Sequence, residues 1–520
     1  MARRAQPISP WPGTVAAALV LGLTFGTLGA VAWRAEAASR LGPADWAAIR
    51  FTVVQATLSA IISVALAVPL ARALVRRQFP GRALLVTLLG APFILPVIVA
   101  VLGMLAVFGR GGILSAALGS LGLPPIHIYG LHGVVLAHVF FNLPLATRLL
   151  LQGWQAIPAE RFRLAASLNF APADTRRLLE YPMLRSIVPG ALLVIFLICT
   201  TSFAVALTLG GGPRATTVEL AIYQAFRFEF DLSKAALLAC VQFAIGGAAA
   251  LLAFRAAVPD AIGAGLDRHQ TFRPGTGRWL RAMDIAVIAL AALFLILPLL
   301  MILLRGLPGL ASLPPQVFVA MGRSLAVALC SAALCLALAL PLAILGQQMP
   351  RAGGIAEAIG YLAISASPLV VGTGLFILLY PFANPVALAL PITALVNAVM
   401  ALPFALRAIA PALARTESDF GRLASSLALT GRARLRVLIL PRLRRSLGFA
   451  AGLSSALSMG DLGVIALFAD AERGTLPLQI YRLMGSYRMQ DAAGASLLLL
   501  ICALGLFWLF DRGGRMNADA

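Results

Sequence analysis

Arg163-Leu164-Ala165-Ala166-Ser167-Leu168 and Arg422-Leu423-Ala424-Ser425-Ser426-Leu427 are two versions of one phrase, placed 259 residues apart. A proline follows each arginine at the same distance of 19 residues, Pro182 in the first copy and Pro441 in the second. The match continues outward. Leu143-Pro144 and Arg148 correspond to Leu402-Pro403 and Arg407 at the same offset. Thr217, Ile222 and Tyr223 correspond to Thr475, Ile480 and Tyr481 at 258. Upstream, Pro69-Leu70-Ala71 matches Pro341-Leu342-Ala343 at 272, as Pro96 matches Pro368. The change in offset gives the first half about 13 extra residues around 109–128, where a loop is expected.

The chain is 60% hydrophobic and 12% charged, against roughly 25% charged in a soluble domain. A segment of about 20 apolar residues crosses a hydrocarbon core of roughly 30 Å. Twelve such stretches are readable: 14–33, 51–71, 83–108, 128–147, 187–209, 235–254, 285–304, 324–345, 358–380, 384–406, 446–468 and 492–511. Backbone polar groups find no water in lipid, so each is expected to be helical. The fold class is therefore an all-α polytopic membrane protein with about 12 transmembrane helices.

Equivalent spans run in the same direction, so the two halves form a parallel repeat about an axis along the membrane normal. The expected division is a leading helix and loop at 1–47, a first repeat at 48–255, a linker and seventh helix at 256–318, a second repeat at 319–512, and a tail at 513–520.

A net charge of +21 invites a nucleic-acid reading, but its distribution argues otherwise. With the N-terminus inside, 29 of the 41 Lys and Arg fall on the inner side and 12 on the outer, while acidic residues split 11 to 9. That is the positive-inside bias, which acts through Lys and Arg rather than net charge. Both termini are expected in the cytoplasm. Cys199, Cys240, Cys330, Cys335 and Cys502 all fall within spans, where they read as packing residues rather than a disulfide framework. Ala35-Glu36-Ala37 resembles a signal cleavage site, but the preceding run is long for an h-region, so an uncleaved first helix is expected.

The inner loops are unequal. Those at 72–82 and 346–357 are short, whereas 148–186 and 407–445 approach forty residues and hold the repeated phrase. In the second, Phe420, Leu423 and Leu427 sit at helical spacing, with Gly431 read as the stop. In the first, Phe162, Leu164 and Leu168 do the same, with Asn169 and Pro172 ending the turn. A second basic helix follows in each (Thr175 to Tyr181; Arg432 to Leu440) and is expected to end at its proline. Such helices either lie on the surface or lay an apolar side into a partner's groove, with Arg163 or Arg422 at the rim. Two copies with one spacing favour the partner.

At these residues the chain resembles the permeases of ATP-binding-cassette importers of the binding-protein-dependent type I form. Their coupling loop reads Glu-Ala-Ala, then a glycine at the seventh place, then Ile-x-Leu-Pro. On that pattern the glutamate position is Arg163 or Arg422 and the glycine position is Asn169 or Ala428. The ending is Leu438-Ile439-Leu440-Pro441 in the second half and Leu179-Glu180-Tyr181-Pro182 in the first, so the first copy departs further. The resemblance covers roughly 48–255 and 319–512. Within the family, His138-Val-Phe-Phe-Asn142-Leu-Pro144, Phe79-Pro80-Gly81-Arg82 and Gly210 to Gln224 are similar to the fused two-half permeases of thiamine importers. Fused ferric-iron permeases share that architecture and stand as the alternative.

The resemblance implies a cytoplasmic ATPase dimer docking on Arg163 to Asn169 with Pro182 and on Arg422 to Ala428 with Pro441. It also implies a periplasmic solute-binding protein and a bacterial inner-membrane location. ATP would be bound by the partner: this chain lacks a Gly-Lys-Ser/Thr phosphate loop and has one lysine, Lys234. No cofactor is expected in the chain itself, and neither a metal site nor a nucleophile–base arrangement is readable. His132 and His138, spaced i, i+6, do not share a helical face.

Polar residues inside spans are candidates for a translocation path. His138 and its repeat counterpart Asn397 read equally as path residues or helix–helix hydrogen-bonders. Asn142 neighbours His138. Asp461 faces either the path or an arginine partner; its counterpart is Phe203. Met104, Phe140, Phe141 and Phe203 offer core packing or a stacking surface. A major-facilitator-type secondary transporter also has twelve spans in parallel-related halves. Its Gly-x-x-x-Asp-Arg-x-Gly-Arg loop is not matched by Arg72 to Arg82.

Overall fold

In the computed structural model, residues 8–35, 40–90, 94–212, 215–256, 277–348, 367–470 and 473–515 are described, and among them every regular element is helical. Among the described residues eleven helices are long and apolar enough to cross a membrane, and the shorter apolar helix Pro368–Leu379 lies within the remaining stretch, 358–380. The linker and most of the 346–357 loop fall outside the described residues.

Sequence equivalence reappears as equivalent bonding. The long helices Pro43–Arg76 and Pro315–Gln348 have both ends displaced by 272. Thr52 Oγ1 accepts the Val218 N–H at 2.9 Å, and its counterpart Ser324 Oγ accepts the Leu476 N–H at 2.8 Å. Each bond satisfies an orphan donor at the start of a short amphipathic helix, Val218–Arg227 or Leu476–Gly485.

Each leading helix packs on its own half and also reaches the opposite one. Trp11–Ala35 packs on Pro315–Gln348 and Pro368–Leu379, while Arg278–Leu310 packs on Pro43–Arg76 and Val97–Phe108. Glycine makes both crossings possible. A Cβ on Gly374 would lie 2.5 Å from the Thr27 carbonyl oxygen, and one on Gly103 would lie 2.6 Å from that of Pro298. Lipid supplies no hydrophobic drive between helices, so such close approach is what holds them.

Three stretches expected as single helices are broken. The 83–108 stretch holds Arg82–Leu88 and Val97–Phe108. Tyr181–Thr200 ends before Phe203–Leu209, and Leu440–Met459 ends before Gly463–Phe468. A break at membrane depth is tolerated where protein satisfies the freed backbone groups. Here Gln55 Nε2 donates to the Cys199 carbonyl at 2.9 Å and Gln242 Nε2 to that of Thr200 at 2.8 Å.

Candidate functional site

The first segment expected to dock a partner starts where Leu131–Ala156 stops. Pro158 disfavours a helical conformation at Ile157, which is extended (φ −69°, ψ 120°), and a new helix runs Ala159–Ser167. The residue aligned with Pro158 in the second half is Glu417, so nothing interrupts Ala389–Ser426, a helix of 38 residues. Residues 407–426 are thus a helical extension of the span rather than a loop.

Both docking helices end identically. Asn169 and Ala428 each take φ +50°. The N–H of Phe170 donates to the Ala165 carbonyl and that of Leu429 to Ala424, at 3.0 and 2.9 Å. Asn169 and Ala428 donate to Ala166 and Ser425, each at 3.1 Å. These are Schellman turns, whose left-handed residue is usually glycine. The stop in the second copy is therefore Ala428, not Gly431, which opens the next helical turn. Pro172 likewise begins a turn instead of ending one.

A β-carbon in the left-handed region costs roughly 1–2 kcal/mol, whereas asparagine tolerates it. Ala428→Gly should therefore slow hydrogen exchange at the Leu429 amide by about threefold, and Asn169→Gly should change Phe170 less. Equal responses at the two sites would refute the strain argument.

Pro182 and Pro441 do not terminate their helices. A π turn precedes each, Arg176–Glu180 and Leu435–Ile439, and the chain continues into Tyr181–Thr200 and Leu440–Met459. The wider turn lets Tyr181 donate to Arg176 and Leu440 to Leu435, one residue before the proline. The proline's missing donor and its clash with the preceding turn are absorbed there.

The faces expected to dock a partner are exposed. Ala165 and Ala424 pack inward, while Arg163, Ala166, Ser167, Arg422, Ser425 and Ser426 are exposed. Leu164, Leu168, Leu423 and Leu427 are 59, 58, 56 and 63% exposed. Ion pairs brace the two segments differently. In the first half Arg72 Nε meets Glu180 at 2.9 Å. In the second, Arg434 Nε meets Glu417 at 3.3 Å, and Arg442 lies over the Phe420 ring at 4.3 Å.

Between the halves is a cavity of about 360 Å³ that gathers all four path candidates, His138, Asn142, Asn397 and Asp461. Its walls are repeat counterparts: Phe141 with Met400, Asn142 with Ala401, Leu145 with Phe404, and Phe203 with Asp461. The helix breaks at Thr201-Ser202 and at Gly460 to Leu462 open onto it. Asn142 Nδ2 donates to the His138 carbonyl at 2.8 Å and to Cys199 Sγ at 3.3 Å. His138 Nδ1 is 3.4 Å from Ser59 Oγ, and its Nε2 is buried without a partner. Asn397 Nδ2 donates to Ser458 Oγ at 3.0 Å.

Asp461 Oδ1 accepts the Gly463 N–H at 3.2 Å, and no arginine pairs with Asp461 among the described residues. Met104 and Phe140 are core, Phe141 reaches the cavity, and Phe203 belongs to the buried core while also lining the cavity.

The halves close on each other at one wall of the cavity. Gly460 lies against Pro96, with a Cβ position 3.1 Å from its Cα. Phe226, Phe376 and Phe468 form an aromatic cluster spanning the halves, with centroids 4.5 and 5.8 Å apart. Glu219 is buried beside Ser367 near this closure, and burial pushes its carboxyl up to about 7.

The residues missed from sequence are Thr201, Ser202, Gly460 and Leu462 at the breaks and the aromatic cluster of the closure. Their signal was Thr200-Thr201-Ser202 and Gly460-Asp461-Leu462-Gly463, polar and glycine tracts inside apolar runs.

A helical bundle with two repeat-related exposed helical segments and a central cavity between its halves defines a multi-pass membrane permease. The chain is 39% identical over 539 residues to the thiamine transport system permease protein ThiP of Brucella abortus (strain 2308), covering all of this chain and 98% of that protein. Identity to ThiP of Escherichia coli (strain K12) is also 39%, over the whole of both. The molybdenum transport system permease protein ModB of Azotobacter vinelandii is 27% identical over 178 residues, 34% of this chain but 78% of that protein. No protein-family model matches. The chain belongs to the family of thiamine transport system permease proteins.

Proposed function

We propose that this chain is the permease subunit of an ATP-driven thiamine importer of the bacterial inner membrane. The observation that carries the reading is full-length similarity to thiamine permeases. The two exposed docking helices support an ATPase dimer as partner, one subunit on Arg163 to Asn169 and the other on Arg422 to Ala428. ATP is bound by that partner, with no cofactor in this chain. Thiamine is delivered by a periplasmic binding protein on the side of the aromatic closure. Both termini face the cytoplasm, and residues 48–255 and 319–512 act as two permease repeats.

The substrate passes His138, Asn142, Asn397 and Asp461. A nearly complete switch between outward- and inward-open states needs about 5.5 kcal/mol of differential stabilisation, which ATP-driven closure supplies through two docking sites at once. Proteoliposomes containing the permease, its ATPase and the binding protein should accumulate labelled thiamine only with ATP inside. Accumulation driven by a proton gradient without ATPase would overturn this, and uptake of labelled ferric iron in place of thiamine would overturn the substrate.

A further inference from the structure

We propose that Phe203 and Asp461 form an unequal pair in the cavity that holds an organic cation, the aromatic ring on one side and the carboxylate on the other. This rests on the thiamine reading and assigns the thiazolium ring as the part held.

The two residues lie beside the two breaks, Phe203 opening its short helix and Asp461 two residues before the start of the other. They converge on one point. A Cβ position on Gly463 is 3.6 Å from Asp461 Oδ1 and 3.8 Å from Phe203 Cδ1. Both groups are held in orientation. The Gly463 N–H fixes one carboxyl oxygen, and Tyr223 packs edge-on against the Phe203 ring with centroids 5.2 Å apart. Asp461 Oδ2 is buried without a donor. One N–H of the Asn397 amide goes to Ser458 Oγ, and that amide and the Val464 and Ile465 N–H groups also face the Asp461 carboxyl without supplying a counter-charge.

Among the described residues no lysine or arginine lines the cavity, and the titratable ones that do are His138 and Asp461. A carboxylate without a counter-ion in apolar surroundings is costly until a cation arrives. An aromatic face adds attraction for that cation, most strongly where water is excluded. The unequal pair suits a flat cation better than either equal one: two phenyl rings supply no charge, and two carboxylates repel.

The competing role for Asp461 is only to cap the short helix Gly463–Phe468. Asparagine caps as well as aspartate, so Asp461→Asn separates the roles. The permease–ATPase complex, free of nucleotide and binding protein, is tested by equilibrium dialysis with labelled thiamine. The competitor is 3-deazathiamine, in which a neutral thiophene replaces the thiazolium. The wild type should prefer thiamine by about tenfold or more. Asp461→Asn should bring the ratio to about one while Asp461→Glu retains a preference, and Phe203→Leu should lower it by about threefold. The ratio is internal to each variant and does not depend on its yield.

A wild-type complex that imports thiamine but binds both compounds equally, or binds neither, overturns the pair alone. An unchanged ratio in Asp461→Asn does the same, as does an unchanged ratio in Phe203→Leu should the aspartate variants fail to fold. A wild-type complex that imports no thiamine overturns both readings.

Discussion

Glutamate at both Leu168 and Leu427 will strip the proposed ATPase from the purified permease and abolish ATP-driven thiamine uptake. These leucines are 58 and 63% exposed, each on the last turn of a docking helix whose one buried residue in the phrase is an alanine. A helix that lays its apolar face into a groove is read through such anchors. Full burial of a leucine contributes roughly 1.5–3 kcal/mol. Losing both should weaken the complex by about 4 kcal/mol, on the order of a thousandfold in affinity. The unbound permease should be unaffected, because neither side chain is part of its packing. Each single variant should retain partial binding. Pull-down of the ATPase with the double variant, set beside its thermal stability in detergent, is the direct measurement. Wild-type recovery of the ATPase would show that the phrase lies on a bare surface.

Helix-level architecture was legible in the sequence because a membrane leaves few choices. Apolar length marks the spans, and a repeat whose offset changes only across loops shows which helices are equivalent. The hydrogen bonds from Val218 to Thr52 and from Leu476 to Ser324 extend that equivalence to single atoms. What escaped was everything set by local backbone chemistry. Hydropathy averages over about 19 residues, so it reads across the breaks at Thr201 and Gly460 that open the cavity wall. The rule that proline stops a helix failed at Pro182 and Pro441, because a π turn in each half takes up the strain. It held at Ile157, where no such turn intervenes. The cavity residues were chosen as polar groups inside spans, and all four face one space. Their partners were not readable: Ser59 reaches His138 from 79 residues away, and Asp461 meets no arginine among the described residues.

Glu417→Ala should destabilise the second docking segment by about 3 kcal/mol and uncouple ATP hydrolysis from transport. The Arg434 side chain is only 3% exposed, and Glu417 provides its counter-charge. Removing one partner of a buried pair leaves an uncompensated charge, which costs about 3–5 kcal/mol; the lower figure suits a glutamate side chain that is 26% exposed. In the first half the aligned positions hold Pro158 and Thr175, so no such pair exists there. The first half carries Arg72–Glu180 instead, where the second has Ile344 and Ile439 in its apolar core. Evolution has thus tried an ion pair and an apolar pair at equivalent places, which fits the near-equality of the two solutions in a buried site. It follows that Glu417→Leu combined with Arg434→Met should recover most of the stability that Glu417→Ala removes. Transport should return with it, because the brace positions the docking helix without touching substrate. Melting temperature, and ATP hydrolysis stimulated by the binding protein, should fall together in the single variant and recover together in the double. Recovery of stability without recovery of stimulated hydrolysis would instead make the Glu417 charge itself part of the docking surface.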